Sequence, residues 1–333
     1  MAAPPRLDAE YVLPLKWSDH EDAHELTTYL RRLTGWLDVT VVDGSDDSTY
    51  ERHAELWGAW VRHIRPAPRP GRNGKVAGVV TGVFAARHES VIIADDDVRW
   101  DRDGLQRALV LLAEADLVRP QNVLRPLPWH ARWDTARSLV NRAFGADYPG
   151  TYVLRRSLFV AAGGYDGDVL FENLEMSRTL RAAGGREIRA NALYVCRRPP
   201  TARHFLGQRT RQAYDDLAQP ARLIVECALL PLAARLAFRL RRPNVAHAAP
   251  MAVGAAFAAA MAVGEVGRRR AGGSDVYPAT AALWTPLWLA ERAVCVWLAV
   301  AQRLAGGMPY AGQRILVAAH SNRQLRARTR PAA

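Results

Sequence analysis

The stretch Ser90-Val-Ile-Ile-Ala-Asp-Asp-Asp97 decides the fold, because four apolar residues are followed directly by three carboxylates. Such a short apolar run is typical of a buried strand. Adjacent carboxylates repel one another, and Mg²⁺ or Mn²⁺ is a suitable partner because hard cations prefer oxygen ligands. Alternate residues of an extended segment share a face, so Asp95 and Asp97 are the expected metal ligands. A solvated acidic loop is the alternative.

The residues before this stretch predict a parallel sheet covered by helices. Strands are predicted at residues 11–15, 37–42 and 90–94, and helices at 19–33, with Asp19 near the N-cap, and at 75–86. Alternation of strands and helices is typical of an α/β fold with a parallel sheet. Sheets of this kind bind ligands beyond the carboxyl ends of their strands, which is where Asp43 and Asp95 stand.

Lys75 follows the loop Gly71-Arg-Asn-Gly74 and opens a predicted helix. The N-terminus of a helix favours anions such as phosphate. Lys75 and Lys16 are the only lysines in a chain that otherwise uses arginine, so a lysine here indicates that a compact point charge is needed. An ordinary solvated lysine is the alternative.

The C-terminal third carries the excess of positive charge. After residue 220 lie 15 of the 45 Lys and Arg residues but only 4 of the 33 Asp and Glu residues. The apolar runs 223–238, 243–264 and 279–301 lie in the same region, and this pairing favours an anionic membrane over nucleic acid. Only the run 243–264 is predicted to be long enough to cross a bilayer, because Glu291 and Arg292 interrupt the last run.

Basic clusters flank the run 243–264 on both sides, which argues against a single crossing. Helices that lie in the membrane interface, or a re-entrant hairpin, would keep both clusters on one face, whereas a soluble helical cap is the alternative. The three cysteines (Cys196, Cys227, Cys295) argue against a disulfide framework and favour a reducing compartment.

Several motifs together resemble glycosyltransferase family 2. They are Val41-Val-Asp-Gly-Ser-Asp-Asp-Ser48, Gly74-Lys75, Ile92-Ile-Ala-Asp-Asp-Asp97, Gly163-Gly-Tyr-Asp166 and Phe171-Glu-Asn-Leu-Glu175. The resemblance covers about residues 8–218. It implies a GT-A nucleotide-sugar-binding fold, a mostly parallel sheet flanked by helices, in residues 1–218. Residues 219–333 are then expected to form a basic, apolar, helical membrane-associated region.

The resemblance also implies roles for individual residues. Asp43 would contact the base or ribose of the nucleotide, Lys75 the diphosphate, and Asp95 and Asp96 the nucleotide sugar. Asp95 and Asp97 would hold Mg²⁺ or Mn²⁺. His204 is a further candidate for the metal or diphosphate, with a surface histidine as the alternative.

An inverting transferase needs a carboxylate to remove the proton of the acceptor hydroxyl. The family places a Glu-Asp pair here, whereas this chain has Glu172-Asn173, and an amide cannot act as a base. Glu172 is therefore the expected base and Glu175 the second candidate, since a helix that starts here places both on neighbouring faces. A carboxylate that only stabilises the helix N-terminus is the alternative for either residue.

Four residues are candidates for the acceptor side. Trp129 and Trp133 are four residues apart and share a helical face that suits a sugar ring or a lipid, with core packing as the alternative. Gln208 and Arg211 resemble part of the Gln-x-x-Arg-Trp motif of polysaccharide synthases, with the start of an amphipathic helix as the alternative. Gln212 replaces the tryptophan, which argues against processive polymerisation.

The sequence as a whole predicts a metal-dependent enzyme that transfers a hexose from a UDP- or GDP-hexose to a hydroxyl of a lipid or saccharide acceptor. The transfer is expected to invert the anomeric centre, with Glu172 as base. The expected location is the cell membrane, with the catalytic domain on the cytoplasmic face and no nucleic-acid partner. A processive polysaccharide synthase and a catalytically inactive nucleotide-sugar-binding membrane protein are the alternatives.

Overall fold

The structure is a computed structural model that describes residues 5–18, 23–242 and 248–329. The chain divides into two compact units. Unit 1 comprises the described residues of 1–122, 148–197 and 320–333, and unit 2 those of 123–147 and 198–319. The expected division at residue 218 remains a prediction, and residues from 320 onward group with unit 1.

Helices and strands alternate through the first part of the chain, and helices dominate the last part. The strands are β1 (Glu10–Leu15), β2 (Asp38–Asp43), β3 (Arg62–Ile64), β4 (Ser90–Ala94), β5 (Val98–Arg99), β6 (Leu117–Leu124), β7 (Thr151–Arg155), β8 (Glu187–Arg197), β9 (Met308–Tyr310) and β10 (Gln313–Ile315). The α-helices are α1 (His24–Thr34), α2 (Asp47–Trp57), α3 (Gly74–Ala85), α4 (Arg102–Ala113), α5 (Trp129–Phe144), α6 (Arg156–Ala161), α7 (Glu172–Ala182), α8 (Ala202–Gly207), α9 (Arg209–Tyr214), α10 (Pro220–Leu240), α11 (Ala249–Arg269), α12 (Thr285–Leu304) and α13 (Asn322–Thr329).

A mixed sheet with strand order β3-β2-β1-β4-β7-β6-β8-β5 forms the centre of unit 1. Strands β3, β2, β1 and β4 are parallel neighbours, whereas β7 is antiparallel to β4 and β6, and β5 is antiparallel to β8. The predicted strands at 11–15, 37–42 and 90–94 are confirmed as β1, β2 and β4. Asp43 and Asp95 therefore lie at the same edge of the sheet, with β1 between their strands.

Helix α3 confirms the helix predicted at residues 75–86, and its glycines bring it close to the sheet. A Cβ atom at Gly82 would lie 2.3 Å from Cγ1 of Val12 on β1. Asn73 caps the helix by accepting a hydrogen bond from the backbone N–H of Lys75. The first turn of α3, which carries Lys75, is thereby held at the edge of the sheet where the parallel strands end.

Helix α1 begins at His24, later than the predicted start, and Asp19 lies outside the described residues. Two segments of unit 2, Ala249–Asp275 and Ala279–Leu304, are long and apolar enough to cross a membrane by length and composition. The expectation that only residues 243–264 could do so is wrong, because the second segment is apolar enough for such a helix even though it contains Glu291 and Arg292. Residues 243–247 lie outside the described residues.

Helices α10 and α12 of unit 2 each bury a charged side chain and expose large apolar ones. In α10, Glu226 is buried, while Ile224 is 69% and Phe238 is 66% exposed. In α12, Arg292 is 1% exposed and Leu298 is 50% exposed. A surface helix of a water-soluble domain instead directs its large apolar side chains inward.

Candidate functional site

Asp95 and Asp97 lie just beyond the end of β4, and Arg197 of β8 lies between them. The Nη2 atom of Arg197 is 3.2 Å from Oδ2 of Asp95, and its Nε atom is 2.7 Å from Oδ2 of Asp97. Both carboxylates remain partly exposed. Burial raises the pKa of Asp97 and the charge of Asp95 adds to this effect, which Arg197 only partly offsets.

Gly150 has no side chain, and the carboxylate of Asp95 occupies the space where a Cβ atom would lie. The backbone N–H of Asp95 donates to the carbonyl oxygen of Gly150 over 2.8 Å. A Cβ atom at Gly150 would lie 2.5 Å from Oδ2 of Asp95 and 3.1 Å from Cζ of Arg197. The space beside Gly150, which a methyl group would fill, thus lies next to the carboxylates. Carboxylate oxygens are hard donors, and they suit a divalent cation such as Mg²⁺ or Mn²⁺.

Lys75 joins this pair of aspartates to Glu172. Its Nζ atom lies 2.6 Å from Oδ1 of Asp95 and 2.6 Å from Oε1 of Glu172. Burial lowers the pKa of Lys75, but the two carboxylates outweigh this effect and hold the pKa above its ordinary value. We call Glu172, Lys75, Asp95, Arg197 and Asp97 the ion-paired row. Four of its members were expected at the site from the sequence, and Arg197 was not.

Two loops contact each other through glycine residues, and this contact holds Lys75 beside Glu172. Gly71 has a φ of +114°, and a Cβ atom there would lie 2.6 Å from Cα of Gly167. The backbone N–H of Asn73 donates to the carbonyl oxygen of Gly167, and its side-chain amide donates to that of Val169. The loop before Lys75 therefore rests on the loop before Glu172, although the two are distant in sequence.

Glu175 lies one turn after Glu172 on α7 but has different surroundings. It is fully buried, and its two oxygens accept hydrogen bonds from the backbone N–H and the Nδ1 atom of His320 over 2.7 and 2.9 Å. Asn173, between the two glutamates, is partly exposed. Of the two carboxylates considered as base, only Glu172 belongs to the ion-paired row.

Asp43 is fully buried at the end of β2. Its Oδ2 atom lies 2.7 Å from Nδ1 of His53 and 3.1 Å from Nε2 of His63, and its Oδ1 atom accepts from the backbone N–H of Ser45. Burial raises the pKa of Asp43, but these hydrogen bonds outweigh it and hold the pKa well below its usual range. A direct contact of Asp43 with the nucleotide remains a prediction.

Asp96 points away from the other two aspartates, as expected for alternate residues. It accepts a hydrogen bond from the indole N–H of Trp17. The backbone N–H of Trp17 in turn donates to Oγ of Ser45. Asp96 is thus joined through Trp17 to the loop that follows β2.

The expected acceptor residues lie in unit 2. Trp129 and Trp133 share one face of α5, with ring centroids 6.3 Å apart, and both pack against Phe205. Trp129 is 46% exposed. Gln208 accepts a hydrogen bond from Nη1 of Arg211 over 3.0 Å. Their role toward an acceptor remains a prediction, as does that of His204, an exposed residue of α8.

Several site residues were missed by the sequence reasoning. His53 and His63 bring donor atoms within 4.8 Å of the expected residue Asp43, and His320 and Asp166 do so with the expected residue Glu175. These histidines and Arg197 stand in no motif that singles them out. Gly150, in Pro149-Gly-Thr151, carries only the general signal of a turn.

The family model of glycosyl transferase family 2 matches residues 37–162. No curated protein sequence matches the chain. Among solved structures, the chain resembles the mannosyltransferase PcManGT from Pyrobaculum calidifontis in complex with GDP-Man and Mn²⁺, with 21% identity, 88% of each chain covered and a TM-score of 0.47.

Two further structures show lower similarity. The first is S. aureus TarS in complex with UDP-GlcNAc, with 14% identity over 60% of this chain and 61% of that chain, at a TM-score of 0.39. The second is glucosyl-3-phosphoglycerate synthase from Mycobacterium tuberculosis in complex with Mn²⁺, UDP and phosphoglyceric acid. Its identity is 19% over 63% of this chain and 77% of that chain, at a TM-score of 0.39.

The matched segment extends from β2 to α6, and so contains Asp43, Lys75 and the three aspartates that follow β4. The observed sheet flanked by helices is the architecture that the sequence resemblance implied. The family model therefore identifies a glycosyl transferase family 2 domain in residues 37–162, and these residues lie in a sheet flanked by helices as expected for a GT-A fold.

Proposed function

We propose that this chain transfers a hexose from a UDP- or GDP-hexose to a hydroxyl group of a lipid or lipid-linked acceptor, with inversion and with Glu172 as base. The ion-paired row carries the proposal. It places a carboxylate, a lysine and two aspartates at the carboxyl edge of a parallel sheet, where ligands of such sheets bind.

Four members of the row have a task in this proposal. Asp95 and Asp97 would hold Mg²⁺ or Mn²⁺, which neutralises the diphosphate. Lys75 stabilises the negative charge that grows on the diphosphate as the sugar departs. Glu172 accepts the proton of the acceptor hydroxyl, and it is the residue to which we assign this step because Glu175 is buried against His320.

The exposed apolar side chains of α10 and α12 support a membrane partner. Several large exposed apolar side chains on the same helices mark an interaction site, and lipid is an apolar partner that suits them. The basic clusters Arg239-Leu-Arg-Arg242 and Arg268-Arg-Arg270 suit anionic headgroups. We place the enzyme at the cell membrane with its catalytic unit on the cytoplasmic face, where such clusters are favoured.

One observation favours a second candidate function. Asn173 stands where the family places the base, so the chain could bind a nucleotide sugar without transferring it. Lys75 holds Glu172 at the edge of the sheet, which favours the enzyme. The processive synthase is disfavoured by Gln212, which replaces the tryptophan of that motif.

The test is release of nucleoside diphosphate by the purified full chain in detergent, from a panel of UDP- and GDP-hexoses with and without Mn²⁺ and with membrane lipid extract as acceptor. We expect release from one donor, and at least about a 100-fold loss in Asp97→Ala and in Glu172→Gln. The exposed residues Asp103 and Glu114 supply the matched controls Asp103→Ala and Glu114→Gln. Donor binding without release in the wild type would establish the inactive binding protein instead.

A further inference from the structure

The C-terminal segment His320–Thr329 returns to the sheet unit after the chain has left unit 2. Helix α13 packs against α7, and Leu325 of α13 is 4% exposed. No motif of the sequence assigns this basic segment a role in the transfer. It contacts the same helix that carries Glu172.

His320 holds this segment to α7 through Glu175. Its backbone N–H and its Nδ1 atom meet the two carboxylate oxygens of Glu175, and its carbonyl oxygen accepts from Nη1 of Arg178 over 2.8 Å. A fully buried carboxylate needs such donors, because an unsatisfied buried charge is strongly unfavourable. The fixed geometry of Glu175 therefore depends on His320.

A second contact fixes the imidazole itself. Nη2 of Arg328 lies 3.3 Å from Nε2 of His320, and Nη1 of Arg328 donates to Oδ2 of Asp166 over 3.0 Å. With a proton on Nδ1 directed at Glu175, Nε2 of His320 is an acceptor that faces the guanidinium. Both ring nitrogens thus have partners that favour one tautomer.

The first turn of α7 has no side-chain cap, and Glu172 is its first residue. The direction of that turn is therefore determined by tertiary contacts. One of them, the contact of Glu175 with His320, lies one helical turn after Glu172. We propose that His320 is a positioning residue that orients α7 so that Glu172 meets Lys75 and the acceptor hydroxyl. This inference rests on the proposed function, in which Glu172 is the base.

The experiment compares His320→Leu, His320→Asn and His320→Gln in the full chain. Arg323→Ala is the control, because Arg323 is an exposed arginine of α13, the helix that follows His320. Leucine removes the ring donor, asparagine places an amide donor near the position of Nδ1, and glutamine places it near Nε2. Initial rates give kcat and the KM for the donor. Thermal unfolding shows whether each variant folds.

We expect His320→Leu to lower kcat by about 10- to 100-fold, because small misplacement of a catalytic group has effects of that size, and to change the donor KM by less than about threefold. His320→Asn should recover most of kcat and His320→Gln much less. If leucine prevents folding, the difference between asparagine and glutamine still tests the role.

The double variant with Glu172→Gln separates positioning from a general structural role. If His320 acts through Glu172, His320→Leu should reduce the residual rate of Glu172→Gln no further. Additive losses, equal losses in all three His320 variants, or a wild-type kcat in His320→Leu would each overturn the inference. Full turnover in Glu172→Gln alone would instead overturn the assignment of the base in the proposed function.

Discussion

The ammonium group of Lys75 lies 2.6 Å from Oε1 of Glu172, although 97 residues separate the two along the chain. The contact joins the first turn of α3 to the first turn of α7. Asp95 shares the same ammonium group at 2.6 Å. The lysine thus lies between the aspartate expected to face the metal and the carboxylate proposed as base, and its removal affects both.

Replacement of Lys75 by methionine should lower turnover of the donor by about 100-fold, since the departing diphosphate loses a positive partner. It should also lower the free energy of unfolding by about 2 kcal/mol, because two adjacent carboxylates lose their shared counter-ion. Steady-state rates and thermal unfolding measure the two effects. Lys16→Met is the control, because Lys16 is exposed. Equal rates for both variants would contradict the proposed role of Lys75.

Gly150→Ala should weaken Mn²⁺ binding by about 10-fold or more. The added methyl group would lie 2.5 Å from Oδ2 of Asp95, so the carboxylate or Arg197 must move. Titration of Mn²⁺ by calorimetry measures the affinity directly. Gly207→Ala serves as control, because a Cβ atom there meets nothing within 4 Å. Unchanged Mn²⁺ affinity in Gly150→Ala would contradict this prediction.

Glu226→Gln should stabilise the protein at pH 8 and change little at pH 5. Burial raises the pKa of Glu226 to about 7, and the charge of Asp216 adds to this effect. The folded state therefore binds a proton that the unfolded state has released, and the stability due to that proton is lost as pH rises through 7.

Glutamine remains neutral and can still accept from Nε of Arg222, so we expect a gain of about 1 to 3 kcal/mol at pH 8. Thermal unfolding at both pH values measures it. Glu114→Gln, at an exposed position, should change neither value. A larger gain at pH 5 than at pH 8 would reverse the sign and refute the prediction.

The double variant Ile224→Gln/Phe238→Gln should bind vesicles at least about 10-fold more weakly, because each side chain loses its transfer free energy into lipid. The probe is co-sedimentation with vesicles that contain anionic phosphatidylglycerol in neutral phosphatidylcholine. Binding should also weaken at 1 M salt, which screens the basic clusters. Leu56→Gln/Val110→Gln, at exposed apolar positions of unit 1, is the control. Equal binding by the two double variants would rule out α10 as the membrane-facing helix.

The parts of the fold that the sequence predicted are those with a local signal. Strand β4 was predicted with its observed bounds, because a run of buried apolar residues between polar ones is visible without knowledge of its neighbours. The predicted start of α1 is too early. The second apolar segment of unit 2 is long and apolar enough to cross a membrane, although its charged pair argued against this. Arg292 of that pair is buried against Asp216 at 2.8 Å, a pairing across 76 residues that composition does not show.

The sequence by itself determined the parallel strands, the carboxylates at their ends and the lysine that opens α3, because these depend on periodicity and on neighbours along the chain. Only the tertiary structure decided that Lys75 contacts Glu172, that Arg197 lies between Asp95 and Asp97, and that His320 forms hydrogen bonds with Glu175. These contacts join residues that are 97 to 145 positions apart in sequence. Such contacts form because burial forces charged groups to find partners, and that requirement acts only once the chain has folded.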